Sequence, residues 1–344
     1  MMSYFGIAGR LMPVSLCVLL LNACGETANE TPASDPLVVY SARAEHLIKP
    51  MFEAYTAKTG VPIVYTTDSE QPLIQKLLAE GKTTPADILL TVDAGNLWYA
   101  AEKGVFQPVE SDTLAKNIPE HLRDSGNRWF GLSVRARTIA YSSDRVDPAL
   151  LADYAQLANP EWRGRLCLRT STKVYNQSLV AMLIAQFGEA RTEEIVAGWI
   201  GNLATDVFSN DTKLLEAIVA GQCDVGIVNT YYFGRLQETD PRIPVALFWP
   251  AAASGGVHVN VSGGGVTKHS RRTQDAIRLL EWLSSAEAQA LFAGLNLEYP
   301  ANPTVGTDPL VASWGSFSAS PINVARAGEL QATAVKLMDR AGYH

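Results

Sequence analysis

Val225–Leu236 reads VGIVNTYYFGRL. An apolar run, Val225 to Val228, stops at Asn229-Thr230 and delivers two adjacent tyrosines, Tyr231 and Tyr232. Buried strands end this way, and open α/β sheets hold their ligands just beyond the carboxyl ends of their strands. Paired aromatics more often serve as core or as a stacking surface. That reading is weakened here by the position of the pair at a strand mouth and by a second tyrosine motif upstream.

The second motif is Ser171-Thr-Lys-Val-Tyr-Asn-Gln-Ser178, with Tyr175 opening the helical pattern Leu179-Val-Ala-Met-Leu-Ile. Three phenols converging on one point suit a hard, highly charged cation. A free phenol, with a pKa of about 10, is a poor ligand at neutral pH. A trivalent ion displaces the proton, so binding is coupled to proton release. Softer metals call for thiolate or imidazole, and Ca²⁺ or Mg²⁺ for clustered carboxylates. The pattern points to Fe(III).

Tyr175-Asn-Gln-Ser-Leu-Val-Ala and Cys223-Asp-Val-Gly-Ile-Val-Asn-Thr-Tyr-Tyr-Phe-Gly-Arg resemble the ferric-iron-binding proteins that serve ABC-type importers. Val39-Tyr-Ser-Ala-Arg43, Ala86-Asp-Ile-Leu-Leu-Thr91, Arg135-Ala-Arg137, His258-Val-Asn-Val-Ser-Gly-Gly-Gly-Val266 and Glu298-Tyr-Pro-Ala-Asn302 fit the same family. They occur in the family's order and span nearly all of the chain after its first segment.

A chain of 344 residues is long for one core and suggests two lobes. With 47% hydrophobic and 18% charged residues it has the composition of a globular protein. A formal charge of −7 and the lack of a basic run argue against a nucleic-acid surface.

The start reads as a leader. Arg10 precedes the apolar stretch Leu11–Leu21, too short for a permanent span, so 1–24 is a signal peptide. Leu21-Asn-Ala-Cys24 resembles a lipobox in which Cys24 is lipidated; a soluble secreted form is the alternative. Residues 25–36 read as a flexible tether. Cys17 lies in the signal core, which leaves Cys167 and Cys223 as an even pair in an oxidising compartment. A disulfide between them would brace the tyrosine-bearing region; two separate buried thiols are the competing reading.

Strand-like and helical segments alternate along the chain. Leu37–Tyr40, Val61–Thr66 and Ala86–Leu90 read as strands, Ile48–Tyr55, Leu73–Gly81 and Ala94–Gly104 as helices. Such βαβ units predict a mainly parallel sheet. Trp129–Ser133 and Ile139–Tyr141 flank a crossing at 134–137, and Gly255–Val261 is the return. Asp147–Leu157, Gly188–Ile200 and Thr212–Ala220 are expected helices, and Arg165–Leu168 and Val245–Trp249 strands. Arg271–Phe292 reads as one long amphipathic helix with Leu279, Leu280, Leu283 and Leu291 on its apolar side.

The resemblance implies an α/β, two-lobed periplasmic binding protein of type II with a hinge and an interlobe cleft. On that plan 37–134 and 255–301 form lobe 1, 135–254 form lobe 2 with the tyrosines, and 302–344 is a C-terminal helical segment packing across the lobes. It also implies that Tyr175, Tyr231 and Tyr232 are the metal ligands. Where many members carry a histidine or a histidine–tyrosine pair after the first strand, this chain has Ala44 and Glu45. Lobe 1 is therefore expected to supply weak ligands or none, with Glu45, His46 and Asp93 as candidates for a further metal ligand. Three phenolates leave an octahedral ion short of donors, and a synergistic anion such as carbonate fills the gap. Arginine suits such an anion because its planar fork meets two oxygens at once. The anion-binding candidates are Arg43, Arg137, Ser171, Thr172, Asn210 and Asn229; for each arginine the competing role is a structural ion pair.

The expected function is capture of Fe(III) outside the inner membrane and delivery to an ABC permease and its ATPase, by a monomer in the periplasm that is either lipid-anchored or free. The alternative in the same fold is a carrier of another small solute or anion. Neither a Gly-x-Ser-x-Gly elbow, nor His-Glu-x-x-His, nor a P-loop occurs, so an enzyme is not expected.

Overall fold

The computed structural model describes residues 35–344, so the leader, the lipobox with Cys24 and nearly all of the tether lie outside the described residues. Nine strands form one sheet: β1 (Leu37–Ser41), β2 (Ile63–Thr67), β3 (Ile88–Val92), β4 (Phe130–Ser142), β5 (Leu166–Cys167), β6 (Val225–Asn229), β7 (Val245–Phe248), β8 (His258–Val266) and β9 (Tyr299–Pro300). The order is β2-β1-β3-β8-β4-β6-β5, with β7 and β9 also paired to β4.

The expected mainly parallel sheet is corrected to a mixed one. The βαβ units at the two ends are parallel, β1 with β2 and β3 and β5 with β6. Between them β8 runs antiparallel to β3 and β4, and β4 antiparallel to β6. The crossing at 134–137 is no loop. It is the middle of the 13-residue strand β4, buried along nearly its whole length. Its partner β8 carries Gly263-Gly264-Gly265, where any Cβ would run into the backbone or side chains packed against the strand, the carbonyls of Phe130, Leu89 and Arg128 among them.

β4 divides the interior. Phe130, Leu132 and Val134 belong to one core with β1, β3 and the helices Glu45–Thr59 and Thr273–Leu283. Ile139 belongs to a second core with the helices Val174–Phe187 and Glu189–Gly201. Ala140 packs with Leu214, Ile218 and Val228 on the other face. Residues near the end touch both sides: Phe317, Val324 and Ala325 pack on the first core, Leu337, Met338 and Tyr343 in the second.

Two helix expectations fail. Asp147–Leu157 forms only the 3₁₀ turns Pro148–Leu150 and Gln156–Ala158, because Asp147 and Asp153 turn their carboxylates onto nearby backbone N–H groups. Arg271–Phe292 is two helices, Thr273–Leu283 and Ala286–Asn296. Ser284 donates back to the Glu281 carbonyl at the break. The new axis leaves Leu291 37% exposed while Leu279, Leu280 and Leu283 stay buried.

Candidate metal centre

Both tyrosine motifs stand at the mouths of neighbouring strands. β6 ends at Asn229, and the helix Thr230–Thr239 begins at once, with Tyr231 and Tyr232 in its first turn. Tyr175 is the second residue of the helix Val174–Phe187, which follows β5. β5 and β6 pair in parallel, and a disulfide joins Cys167 on β5 to Cys223 just before β6. The bridge therefore ties together the two segments that present the phenols.

Tyr175, Tyr231 and Tyr232 line one cleft of about 520 Å³ together with Arg135, Lys173 and Arg235. Elements of the first core add Glu45, His46, Asp68 and Glu70 to its rim. The rings of Tyr231 and Tyr232 lie 4.3 Å apart, centre to centre. Cations surround the phenols: Arg135 is 5.3 Å and Lys173 4.9 Å from the Tyr175 ring centre, and Arg235 is 5.2 Å from that of Tyr231. Arg169 sits between Tyr175 and Tyr232, at 5.5 and 5.9 Å.

Burial pushes the Tyr231 phenol well above its ordinary pKa; ionised Tyr175 and Tyr232 would push it further, and Arg135 works against them. The Tyr231 phenolate is thus disfavoured unless a cation lies beside it. Burial opposes the Arg135 charge, yet Tyr175, Glu298 and Tyr231 hold its pKa above the usual value. Among the described residues no group of three or more His, Cys, Asp or Glu is placed to hold a metal. The cleft offers three tyrosine hydroxyls, with the Glu45, Asp68 and Glu70 carboxylates and the His46 imidazole at its rim.

The other expected site residues fall into three sets. Glu45 and His46 reach the cleft from the start of the helix Glu45–Thr59, exposed, with Glu45 accepting from the Tyr65 hydroxyl at 3.0 Å. Arg43 also lines the cleft, but its fork is spent on Glu298 at 3.3 Å through both terminal nitrogens. Arg43, Arg135 and Ser133 hold the Glu298 carboxyl below the usual range despite its burial.

The remaining residues are not brought to the cleft. Arg137 is 1% exposed and donates to Asp211 at 2.9 Å, to Asn176 at 2.6 Å and to Asn229 at 3.3 Å. Asn229 is thereby turned inward. Asn210 caps the helix Asp211–Val219 by accepting from the Lys213 N–H at 2.9 Å. Ser171 and Thr172 lie in the turn before the Tyr175 helix, where Thr172 Oγ1 meets Thr170 Oγ1 at 3.1 Å. Asp93 is fully buried and bonded to Ser178 and Asn260.

Arg135, Lys173 and Arg235 were not singled out in the sequence, although each of the two arginines carried a signal. Arg135 shares a strand face with Arg137, two residues on. Arg235 follows Tyr231 by four and Tyr232 by three, which places it on their helix face.

Residues 83–317 match the family of bacterial extracellular solute-binding proteins. The chain is 46% identical over 283 residues to Iron uptake protein A2 of Synechocystis, covering 80% of this chain and 82% of that one. It is 38% identical over 335 residues to Iron uptake protein A1 of the same organism, covering 94% and 93%. A solved Trichodesmium protein (IdiA, FutA) in complex with iron and citrate ligands matches with TM-score 0.87 and 39% identity, over 90% of this chain and 100% of that one. Apo FutA2 from Synechocystis matches with TM-score 0.85 and 42% identity, over 90% and 99%. The fold is the α/β type II binding-protein fold that the sequence led us to expect.

Proposed function

Because the chain belongs to the family of bacterial extracellular solute-binding proteins, we propose that it captures Fe(III) through the phenolates of Tyr175, Tyr231 and Tyr232 and delivers it to an ABC permease and its ATPase in the inner membrane. The family binds solutes, and the chain is not an enzyme. One observation carries the reading: three phenols from two helix starts line a single cleft together with the cations Arg135, Lys173 and Arg235. The iron uptake proteins and the iron-loaded Trichodesmium structure among its relatives support the same cargo.

Three phenolates balance the charge of Fe(III), and a small oxyanion completes its coordination. We assign that anion to Arg135 and Arg235, because the forks of Arg43 and Arg137 are occupied by carboxylates. Carbonate is the simplest such anion, and citrate is its competitor, since the Trichodesmium relative was solved with both iron and citrate. Glu45, His46, Asp68 and Glu70 are first-core groups on the rim of the cleft that faces the cargo. In this reading 37–134 and 255–301 make one lobe and 135–254 the other. β4 and β8 are the hinge, and the protein works as a periplasmic monomer.

The test is a titration of purified protein with Fe(III), with bicarbonate, with citrate and with neither, followed in the visible range. A phenolate-to-iron band that saturates at one equivalent is expected. Its absence under all three conditions would overturn the reading and leave the alternative of a small-solute carrier.

A further inference from the structure

Asp93 follows β3 with a positive φ of 75°, unusual for a residue other than glycine. Its side chain is wholly buried. The carboxylate accepts hydrogen bonds from Gly95 N at 2.8 Å, from Ser178 Oγ at 2.8 Å to each oxygen, and from Asn260 Nδ2 at 2.7 Å. Asn260 Oδ1 in turn accepts from Ala94 N at 2.8 Å.

These donors belong to three separate parts. Gly95 opens the helix Ala94–Glu102 of the first core, Asn260 lies on β8, and Ser178 lies in the helix Val174–Phe187 of the second core. Ser178 stands three residues after Tyr175, on the same side of that helix. Burial raises the Asp93 pKa to about 6; Arg135 is the opposing charge and Glu70 the like charge that act on it. A buried carboxylate and a positive φ at one residue are two unfavourable features that persist where the surroundings over-determine them.

We propose that Asp93 is a positioning residue for metal capture: it pins the N-terminal part of the Tyr175 helix, at Ser178, to β8 and the first core, so that Tyr175 meets Tyr231 and Tyr232 at one point. This rests on the reading of Tyr175 as an iron ligand. The short helix Arg326–Glu329 also packs between the helices Ala94–Glu102 and Val174–Phe187, with Gly328 against Trp98. In the first turn of the Tyr175 helix Asn176 is bonded to Arg137 at 2.6 Å and to the Arg169 and Thr170 carbonyls, ties that hold the helix within the second core, whereas the Ser178 bond is its directed tie to Asp93 beside the first core.

The test uses the full protein and Fe(III) supplied as its citrate complex. Asp93→Asn keeps the shape and removes the charge; Ser178→Ala removes one donor and leaves the others. Each is expected to lower Fe(III) affinity by about 10–100-fold, the range found when an outer-shell partner is lost. Each should also shift the visible band at saturating iron, because the band reports phenolate geometry. If Ser178→Ala folds and keeps both affinity and band position, Asp93 only stabilises the fold and the proposal is overturned; the same variant decides if Asp93→Asn does not fold. Failure of the underlying reading is seen elsewhere: Tyr175→Phe would then keep the wild-type band and affinity, and the positioning role would go with it.

Discussion

The guanidinium of Arg135 lies 5.3 Å from the centre of the Tyr175 ring, and its Nη2 donates to the Val261 carbonyl at 2.8 Å. The residue is 3% exposed, and among the described residues its Nε has no partner. A backbone carbonyl on β8, and no carboxylate at hydrogen-bond distance, holds this cation in place. Its charge is therefore directed at whatever negative group occupies the cleft, phenolate or bound anion.

Arg135→Ala and Arg235→Ala are expected to weaken Fe(III) binding and to abolish its dependence on bicarbonate or citrate. Iron titrations of each variant with and without the anion check this. If the dependence is unchanged in both, the anion is held elsewhere, and Arg43 is the next residue to vary.

Tyr231→Phe, Tyr232→Phe and Tyr175→Phe should each lower Fe(III) affinity by more than the roughly 10–100-fold that loss of a supporting residue costs. The visible band should weaken or vanish while circular dichroism stays that of the parent. A variant that keeps full affinity and full colour removes that tyrosine from the ligand set.

Arg137 and Asp211 form an ion pair that is 1% and 0% exposed. Arg137→Met leaves a carboxylate buried without its main partner, with Arg169 at 3.5 Å and the Asn229 N–H at 2.9 Å beside it. A loss of about 3–5 kcal/mol in urea unfolding is expected. Iron colour should persist in the folded protein, and its loss at full stability would assign Arg137 to the anion instead.

The disulfide closes a separation of 56 residues. On the chain-entropy account Cys167→Ser with Cys223→Ser removes about 4 kcal/mol of stability. Thermal unfolding of the double variant measures this, and iron affinity should fall as the two tyrosine segments loosen.

Stability should decline in acid. Burial lowers the His258 pKa to about 3, aided by Arg137 and Arg135. The imidazole is thus neutral in the fold but takes a proton in the unfolded chain below a pKa of about 6.5. Its contribution is complete above that pH and is lost as pH falls towards 3. Asp93 acts in the opposite sense: with its pKa raised to about 6, the folded state binds the proton first and gains stability between pH 6 and about 4. Asp93→Asn should therefore steepen the acid decline and His258→Gln should flatten it. Unfolding midpoints from pH 7.5 to 4 test both, and parallel curves would refute the assignment.

Residue order alone determined where the three tyrosines stand in the fold. An apolar run broken by Asn229-Thr230 before Tyr231-Tyr232, and a helical pattern opened by Tyr175, place the phenols at strand ends because period and punctuation are local properties. The two cysteines left after the leader were legible by the same kind of local reading. Local order did not decide which arginine faces the cleft. Arg135 and Arg137 share one face of β4, and only the approach of Asp211, 74 residues further on, commits Arg137 to the interior. Nor did it show that the crossing is continuous strand, or that Asp93 joins a first-core helix to the helix carrying Tyr175. Those outcomes depend on contacts between residues distant in sequence, and no local pattern records the energy of a pairing that exists only after the chain has folded.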